Sequence, residues 1–210
     1  LKKTKDFKIT KACYQTWETN LFGKNHLKEL TSFRSINPEI EFVFFNKKQR
    51  DSYMKNIWGN HKIFEVYINS KFGPMKADIF RYCILYEKGG FYVDINKKLE
   101  NYLLSFIKKD TSALIFFEDG PNVNPIPLSP PLNIIDKLIL SDSNVWNSFM
   151  GYEKNHYILK NLIDKICEYY PYYKGKIFKN PRRAILSYTG PGALTKEVWD
   201  YLSKSNNFTN

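Results

Sequence analysis

The chain has 210 residues, 43% of them apolar and 25% charged, a balance that excludes a disordered tail and gives enough material for one core-bearing domain over 1–210, with the possibility of a longer parent chain. No apolar run reaches the roughly 18 residues of a membrane span. The formal charge of +11 points to an anionic partner, but the lysines are spread along the whole chain and equally describe a solvated positive surface. Cys13, Cys83 and Cys167 are odd in number, far apart and flanked by apolar or aromatic residues. They read as buried free thiols, which favours a cytoplasmic location. The opening "LKKTKDFK" lacks an initiator Met, so a removed upstream anchor, and with it a Golgi lumen location, stays open, as does membrane association.

In chain order, "DFKITKACYQ" predicts a first strand, followed by a loop and a helix whose Leu27, Leu30 and Phe33 share a face. "EIEFVFFN" predicts a second strand, apolar enough in sequence to be buried on both sides. "KKQRDSYMKNIW" and "HKIFEVYI" predict short helices, and "PMKADIFRYCILYEK" a longer one with Ile79, Phe80, Cys83, Ile84 and Tyr86 inward. Gly89 and Gly90 suit its end, because the left-handed C′ position favours glycine. "FYVDI" and "SALIFFED" read as strands, "GPNVNPIPLSPP" as a functional loop, and "NVWNSFMG" as another strand. "KNHYILKNLIDKICEYY" has helical spacing through Tyr157, Leu159, Leu162, Ile163 and Ile166, "PRR" at 181–183 reads as a solvated loop or an anion contact, and "PGALTKEVWDYL" is a last amphipathic helix. Alternating strands and helices predict an α/β layered fold with a mostly parallel central sheet.

Ligands of such sheets bind beyond the carboxyl ends of the strands, where "YEKGGFYVDIN" places Asp94 and Asn96. Side chains two apart on an extended chain point the same way, and two oxygen donors suit a hard divalent cation that holds phosphate oxygens. The alternative is a turn, since Asp and Asn at strand ends bond readily to nearby backbone. One helix earlier, Asp78, Arg81 and Tyr82 stand at i, i+3 and i+4 and share a face. Arg81 is suited to phosphate or sugar oxygens and Asp78 to sugar hydroxyls; a surface ion pair is the other reading. Asn147, in "NSFM", is placed either at the cleft from a strand end or in ordinary packing. His26, His61 and His156 are too scattered for a metal cluster, and no nucleic-acid motif accompanies the basic charge.

The stretch "ADIFRYCILYEKGGFYVDIN" resembles the signature of the DXD sugar-binding glycosyltransferases, glycosyltransferase family 32, through Ala77, Asp78, Arg81, Tyr82, Leu85, Tyr86, Gly89, Gly90, Tyr92 and Asp94. That family includes Golgi α-1,6-mannosyltransferases and bacterial capsular transferases; "ITKACYQTW" is similar to its first strand and "TGPGALT" to its late turn. The resemblance implies a GT-A-type nucleotide-sugar-binding fold and a retaining, metal-dependent hexosyltransferase that uses a UDP- or GDP-sugar, with Mn²⁺ or Mg²⁺ as cofactor. The implied acceptor is a hydroxyl of a glycan, protein or lipid, with no nucleic-acid partner. It further implies that Trp17 stacks on the base, that Asp78 and Arg81 hold the donor sugar, and that Thr189 and Gly190 line its pocket. Gln15, Thr16, Tyr82 and Gly90 join that donor-binding group, Asp94 and Asn96 the metal site, and Asp94 and Arg81 the catalytic pair. Three departures stand out: Asn96 replaces the second Asp of the motif, Tyr14 replaces a His, and the chain ends at Asn210, soon after the last helix. A neutral amide in place of a carboxylate weakens a cation site, so a non-catalytic sugar-nucleotide or glycan-binding domain is the alternative.

Overall fold

The first strand is shorter than its sequence pattern predicts: β1 spans Ala12–Thr16 and is buried along its length. It is followed by α1 (Lys24–Ser35), β2 (Glu41–Phe45), α2 (Lys47–Trp58), α3 (Lys62–Asn69), α4 (Gly73–Lys88) and β3 (Gly90–Val93). A 3₁₀ turn at Leu103–Phe106 leads to β4 (Ala113–Asp119), then β5 (Ser143–Tyr152), α5 (Tyr157–Tyr173), α6 (Pro181–Tyr188) and α7 (Pro191–Lys204). The computed structural model describes residues 6–97, 100–119 and 143–204. The proline-rich stretch expected to form a functional loop lies outside the described residues. No helix among the described residues is long and apolar enough to cross a membrane.

The sheet order is β2-β1-β3-β5-β4. β1 pairs in parallel with β2 and β3, while β5 runs antiparallel to both β3 and β4. Four strands therefore share one direction and the fold is mixed α/β with a mostly parallel sheet, as the alternation of elements predicts. β2 is an edge strand and mostly half-buried, which corrects the expectation of burial on both sides: an edge has a neighbour on one flank only. One face of the sheet packs against α3, α4, α5 and α7 through residues such as Tyr92, Met150, Phe80 and Leu162; the other holds Phe33, Phe91, Val93, Leu103 and Phe149. Burying this much aromatic and aliphatic surface supplies the main stabilisation, at about 25 cal/mol per Å².

Local chemistry explains the element ends. Asn46 and Gln49 form a reciprocal capping box at the start of α2, each side chain bonded to the other's backbone N–H. α4 starts with Pro74 in its first turn, where the missing N–H is no loss, and stops at Gly89, whose φ of +67° closes the helix with an N–H bond to the Leu85 carbonyl. Eight consecutive residues of α4, Asp78 to Leu85, are buried, so this helix is enclosed rather than amphipathic, and polar members of that run must find partners inside. Leu30 and Phe33 face the core as predicted, but Leu27 is exposed; on α5, Tyr157 is likewise exposed although its spacing put it on the apolar face. Residues 181–183 begin α6, capped by Asn180, rather than forming a loop. Cys13, Cys83 and Cys167 are buried and free, and burial raises each thiol's pKa, so all three remain protonated.

Candidate functional site

Parallel pairing sets the carboxyl ends of β1 and β3 side by side, so the chain leaves both strands at the same edge of the sheet. β3 ends at Val93. Asp94 then opens a turn closed by the Lys97 N–H on the Asp94 carbonyl at 3.0 Å, with Ile95 buried beneath it. The expectation of an extended Asp94–Asn96 segment is therefore corrected, and the turn alternative describes the backbone. Both side chains nevertheless line one cleft of about 330 Å³, together with Thr16, Trp17, Glu18 and Arg81. Gly73, Pro74 and Ala77, from the start of α4, complete its lining.

Arg81 makes the most contacts of the charged residues in this lining. Its Nη2 lies 3.3 Å from Asp94 Oδ1 and 3.4 Å from Asp78 Oδ1, its Nη1 donates to the Asn147 carbonyl, and its guanidinium sits 4.5 Å over the Tyr92 ring. Burial works against the charge, but Asp94, Tyr92 and Asp78 outweigh it and hold the Arg81 pKa above its ordinary value. The surface-ion-pair reading of these residues fails, because Asp78 and Arg81 are each only 5% exposed. Asp94 is held from a second side by the Tyr92 hydroxyl, which donates to Oδ1 at 2.9 Å.

Behind Arg81 lies a closed network. Asn147 Nδ2 donates to Asp78 Oδ1 at 2.9 Å, and the Thr189 hydroxyl donates to Asp78 Oδ2 at 3.0 Å. Tyr82 donates to the Thr189 carbonyl at 2.8 Å and accepts from Asn147 Nδ2 at 3.2 Å, with the Gly190 carbonyl at 3.5 Å. Burial pushes the Asp78 carboxyl up to about 7, opposed by Arg81, Thr189 and Asn147 and reinforced by Asp94. Asp78, Tyr82, Thr189 and Gly190 are thus brought together as expected, but as a buried layer that holds Arg81 and the β5 backbone rather than as lining of the cleft.

The predicted residues from β1 divide. Trp17 lines the cleft at 41% exposure, edge-on to His26 at a ring separation of 5.6 Å, which decides against core packing and leaves ring surface free. The Thr16 hydroxyl donates to the Phe45 carbonyl at 2.8 Å, so it reaches the cleft already committed. Gln15 is buried and donates to the Val93 carbonyl at 3.2 Å, outside the cleft lining. Gly90 opens β3 at the strand end remote from Asp94, about 13 Å away at strand rise. It has φ +114°, and a Cβ there would meet the Ala12 carbonyl oxygen at 2.6 Å, so glycine serves strand packing at that position and not the cleft.

Arg50 is absent from the residues singled out for the site by sequence, and Asn147, expected either at the cleft or in ordinary packing, is buried behind Arg81. Asn147 arrives because β5 runs antiparallel beside β3, with Asp94 N–H bonded to the Ser148 carbonyl at 2.9 Å. Arg50 is 1% exposed; its Nη1 donates to Thr16 Oγ1 at 3.2 Å, its Nη2 to Glu18 Oε1 at 2.7 Å and its Nε to the Tyr67 hydroxyl at 3.2 Å, bracing the loop that carries Trp17. Its signal was present: Arg50, Met54 and Trp58 follow at i, i+4 and i+8 on the buried face of α2.

For a divalent cation the fit is partial. Both close contacts of the Asp94 carboxylate are made by Oδ1, which leaves Oδ2 for a ligand, and Asn96 lines the same cleft. No group of three or more His, Cys, Asp or Glu side chains among the described residues is placed to hold a metal. One carboxylate and one amide suit a cation whose remaining ligands come with a bound diphosphate.

Residues 23–113 match the family model described as glycosyltransferase sugar-binding region containing DXD motif. The chain is 24% identical to an initiation-specific alpha-1,6-mannosyltransferase of Candida albicans, over 92% of this chain and 53% of that protein. It is also 24% identical to one of Schizosaccharomyces pombe, over 89% and 48%. Inositol phosphoceramide mannosyltransferase 2 of the same yeast is 26% identical over 42% of this chain and 25% of its own length. The chain thus spans about half the length of the first two relatives. Among solved structures, PaToxG glycosyltransferase superposes with a TM-score of 0.55 at 16% identity, covering 93% of this chain and 70% of that one, a likeness of fold.

Proposed function

We propose, from the match of residues 23–113 to the DXD-containing sugar-binding region of glycosyltransferases, that the chain has a GT-A-type fold and transfers a hexosyl group. The donor is a UDP- or GDP-sugar and the acceptor a hydroxyl of a glycan, protein or lipid. The relatives are mannosyltransferases by name, which makes a mannosyl donor the first to test. The observation that carries the reading is Arg81, clamped between Asp78 and Asp94 in the cleft that Trp17 also lines.

In this reading the free face of Trp17 stacks on the nucleotide base. Arg81 offers a fixed positive charge to the diphosphate as the bond from the anomeric carbon to the phosphate oxygen breaks. Because its guanidinium is already held by Asn147, Asp78 and Tyr92, it needs little reorganisation when charge develops. Asp94 and Asn96 would hold Mn²⁺ or Mg²⁺, which supplies further neutralisation of the departing diphosphate when bound. Retention of anomeric configuration by attack from the leaving-group face requires no side-chain nucleophile. Asp78, Tyr82 and Thr189 act through Arg81 and the β5 backbone and position rather than touch the donor.

Asn96 favours one alternative, a sugar-nucleotide or glycan-binding domain without efficient metal use. A panel of UDP- and GDP-sugars in a thermal shift assay, with and without Mn²⁺, combined with product analysis after incubation, tests both readings, because a ligand that binds only the native state raises Tm. Metal-dependent stabilisation with release of the nucleoside diphosphate supports transfer, and stabilisation without turnover supports the binding domain. No response to any donor overturns both.

A further inference from the structure

A second cavity, at about 470 Å³ larger than the cleft, opens between α3, α4, α5 and α6. Its walls are apolar and aromatic: Phe72, Met75, Tyr170, Phe178 and the pair Tyr173 and Tyr188, stacked at 3.9 Å. Residues 174–183, the connection from α5 together with the start of α6, contribute to its lining and carry Lys174, Lys176, Lys179, Arg182 and Arg183 and no acidic residue. Lys174 is paired with Glu65 at 2.9 Å. The other four are exposed, and among the described residues none of them has an acidic side chain within ion-pair distance. Between the lysines stands Ile177, 97% exposed, an aliphatic side chain left in water by the described residues.

We propose that this face docks on an anionic phospholipid surface, with Lys176, Lys179, Arg182 and Arg183 on the headgroup phosphates, Ile177 inserted between lipids, and the aromatic cavity taking apolar chain. Charge complementarity and the apolar tip select this occupant together. A nucleic acid would satisfy the four cations but leave Ile177 and the aromatic walls against water, whereas a phospholipid presents phosphate and hydrocarbon at the spacing a lysine stem spans. Phe72 and Met75 line this cavity while Gly73, Pro74 and Ala77 line the Arg81 cleft, so the two openings flank the first turn of α4. A docked protein would therefore present its cleft beside the lipid surface. The proposal does not depend on the donor reading, and each can fail alone.

Co-sedimentation with phosphatidylcholine vesicles and with mixed phosphatidylcholine–phosphatidylserine vesicles tests it, using the wild type, Lys176→Glu/Lys179→Glu and the charge-neutral Ile177→Ser. These substitutions lie at exposed positions, and unchanged thermal melts check that each variant is folded. Each basic side chain near an anionic surface contributes roughly five-fold in partition, so loss of the two lysines lowers binding by at least about 25-fold. Ile177→Ser lowers it too, while inorganic phosphate does not compete. Failure to bind anionic vesicles, or equal binding to neutral ones, overturns the proposal. Wild-type binding by Ile177→Ser, or displacement by duplex RNA at matched phosphate concentration, would assign the face to purely electrostatic contacts and overturn it as well.

Discussion

Replacing Arg81 with lysine keeps the charge and removes the planar fork, which makes it the sharpest perturbation of the site. The guanidinium donates to the Asn147 carbonyl through Nη1 and to the Ala77 carbonyl through Nε at 3.3 Å, while Nη2 faces Asp94 at 3.3 Å and Asp78 at 3.4 Å. A single ammonium can keep the carboxylates or the Asn147 carbonyl, not the whole set. Hydrogen bonds of charged groups contribute about 1.5–3 kcal/mol each, so losing one or two of them costs about 2–4 kcal/mol. That leaves a protein of ordinary stability, roughly 5–15 kcal/mol, still folded. Arg81→Met should cost about 3–5 kcal/mol, because it leaves two carboxylates facing each other without a cation. For donor turnover the loss in Arg81→Lys should be on the order of 10²–10³ in kcat, the effect of removing one fixed electrostatic contact to a developing charge. Urea denaturation gives the stability difference, and donor hydrolysis gives kcat and KM separately. An Arg81→Lys protein with wild-type stability and wild-type kcat would refute the clamp.

Asn96→Asp adds one negative charge to an exposed turn position in the cleft. At a separation of ~4 Å and water-like screening, a divalent cation gains up to ~2 kcal/mol, so Mn²⁺ affinity in the presence of the nucleoside diphosphate should tighten about ten-fold. Calorimetry on both proteins checks this, and equal affinities remove Asn96 from the cation site. Asp78 supplies a pH test. Its pKa is raised from 3.8 to about 7 in the fold, so between those values the native state holds a proton that the unfolded chain has lost. That group's contribution to stability falls as pH rises across the window and is constant above it. The Tm of wild type relative to Asp78→Asn should therefore decline from about pH 4 to about pH 7 and then level off; a pH-independent difference contradicts the assignment.

How much of this could be read from the chain depended on whether a signal was local. The α4–β3 unit was legible because apolar spacing, two glycines and an aromatic strand follow one another within twenty-odd residues, and the sheet-end position of Asp94 comes from the same run. Asn147 was legible only as one of two readings, cleft or packing, since its place beside Asp78 depends on antiparallel pairing between β3 and β5, elements over fifty residues apart. Arg50 drew no reading from the sequence although it repeats in phase with Met54 and Trp58; a cation on an apolar face becomes intelligible once Glu18 and Thr16 are seen opposite it. The eight residues of α6 were hidden because "PRR" has the composition of a solvated loop, while the Asn180 cap and Pro181 that start the helix are equally common in turns. The Asp94–Asn96 segment carried both readings at once, and the fold makes it a turn that still opens on the cleft.

The central claim is that a nucleoside diphosphate sugar occupies the cleft between Trp17 and Arg81. Titrating the donor identified by the thermal panel into wild type, Trp17→Ala and Asp94→Ala, in Mn²⁺ and by calorimetry, tests it most directly. All three proteins should melt cooperatively, since Trp17 and Asp94 lie partly exposed at the cleft. Wild type should bind one donor. Trp17→Ala should bind it at least about ten-fold more weakly through loss of the stacking surface, an aromatic contact of about 1–3 kcal/mol per base. Asp94→Ala should lose the Mn²⁺-dependent part of the affinity. Wild-type affinity in both variants would place the donor elsewhere and contradict the account.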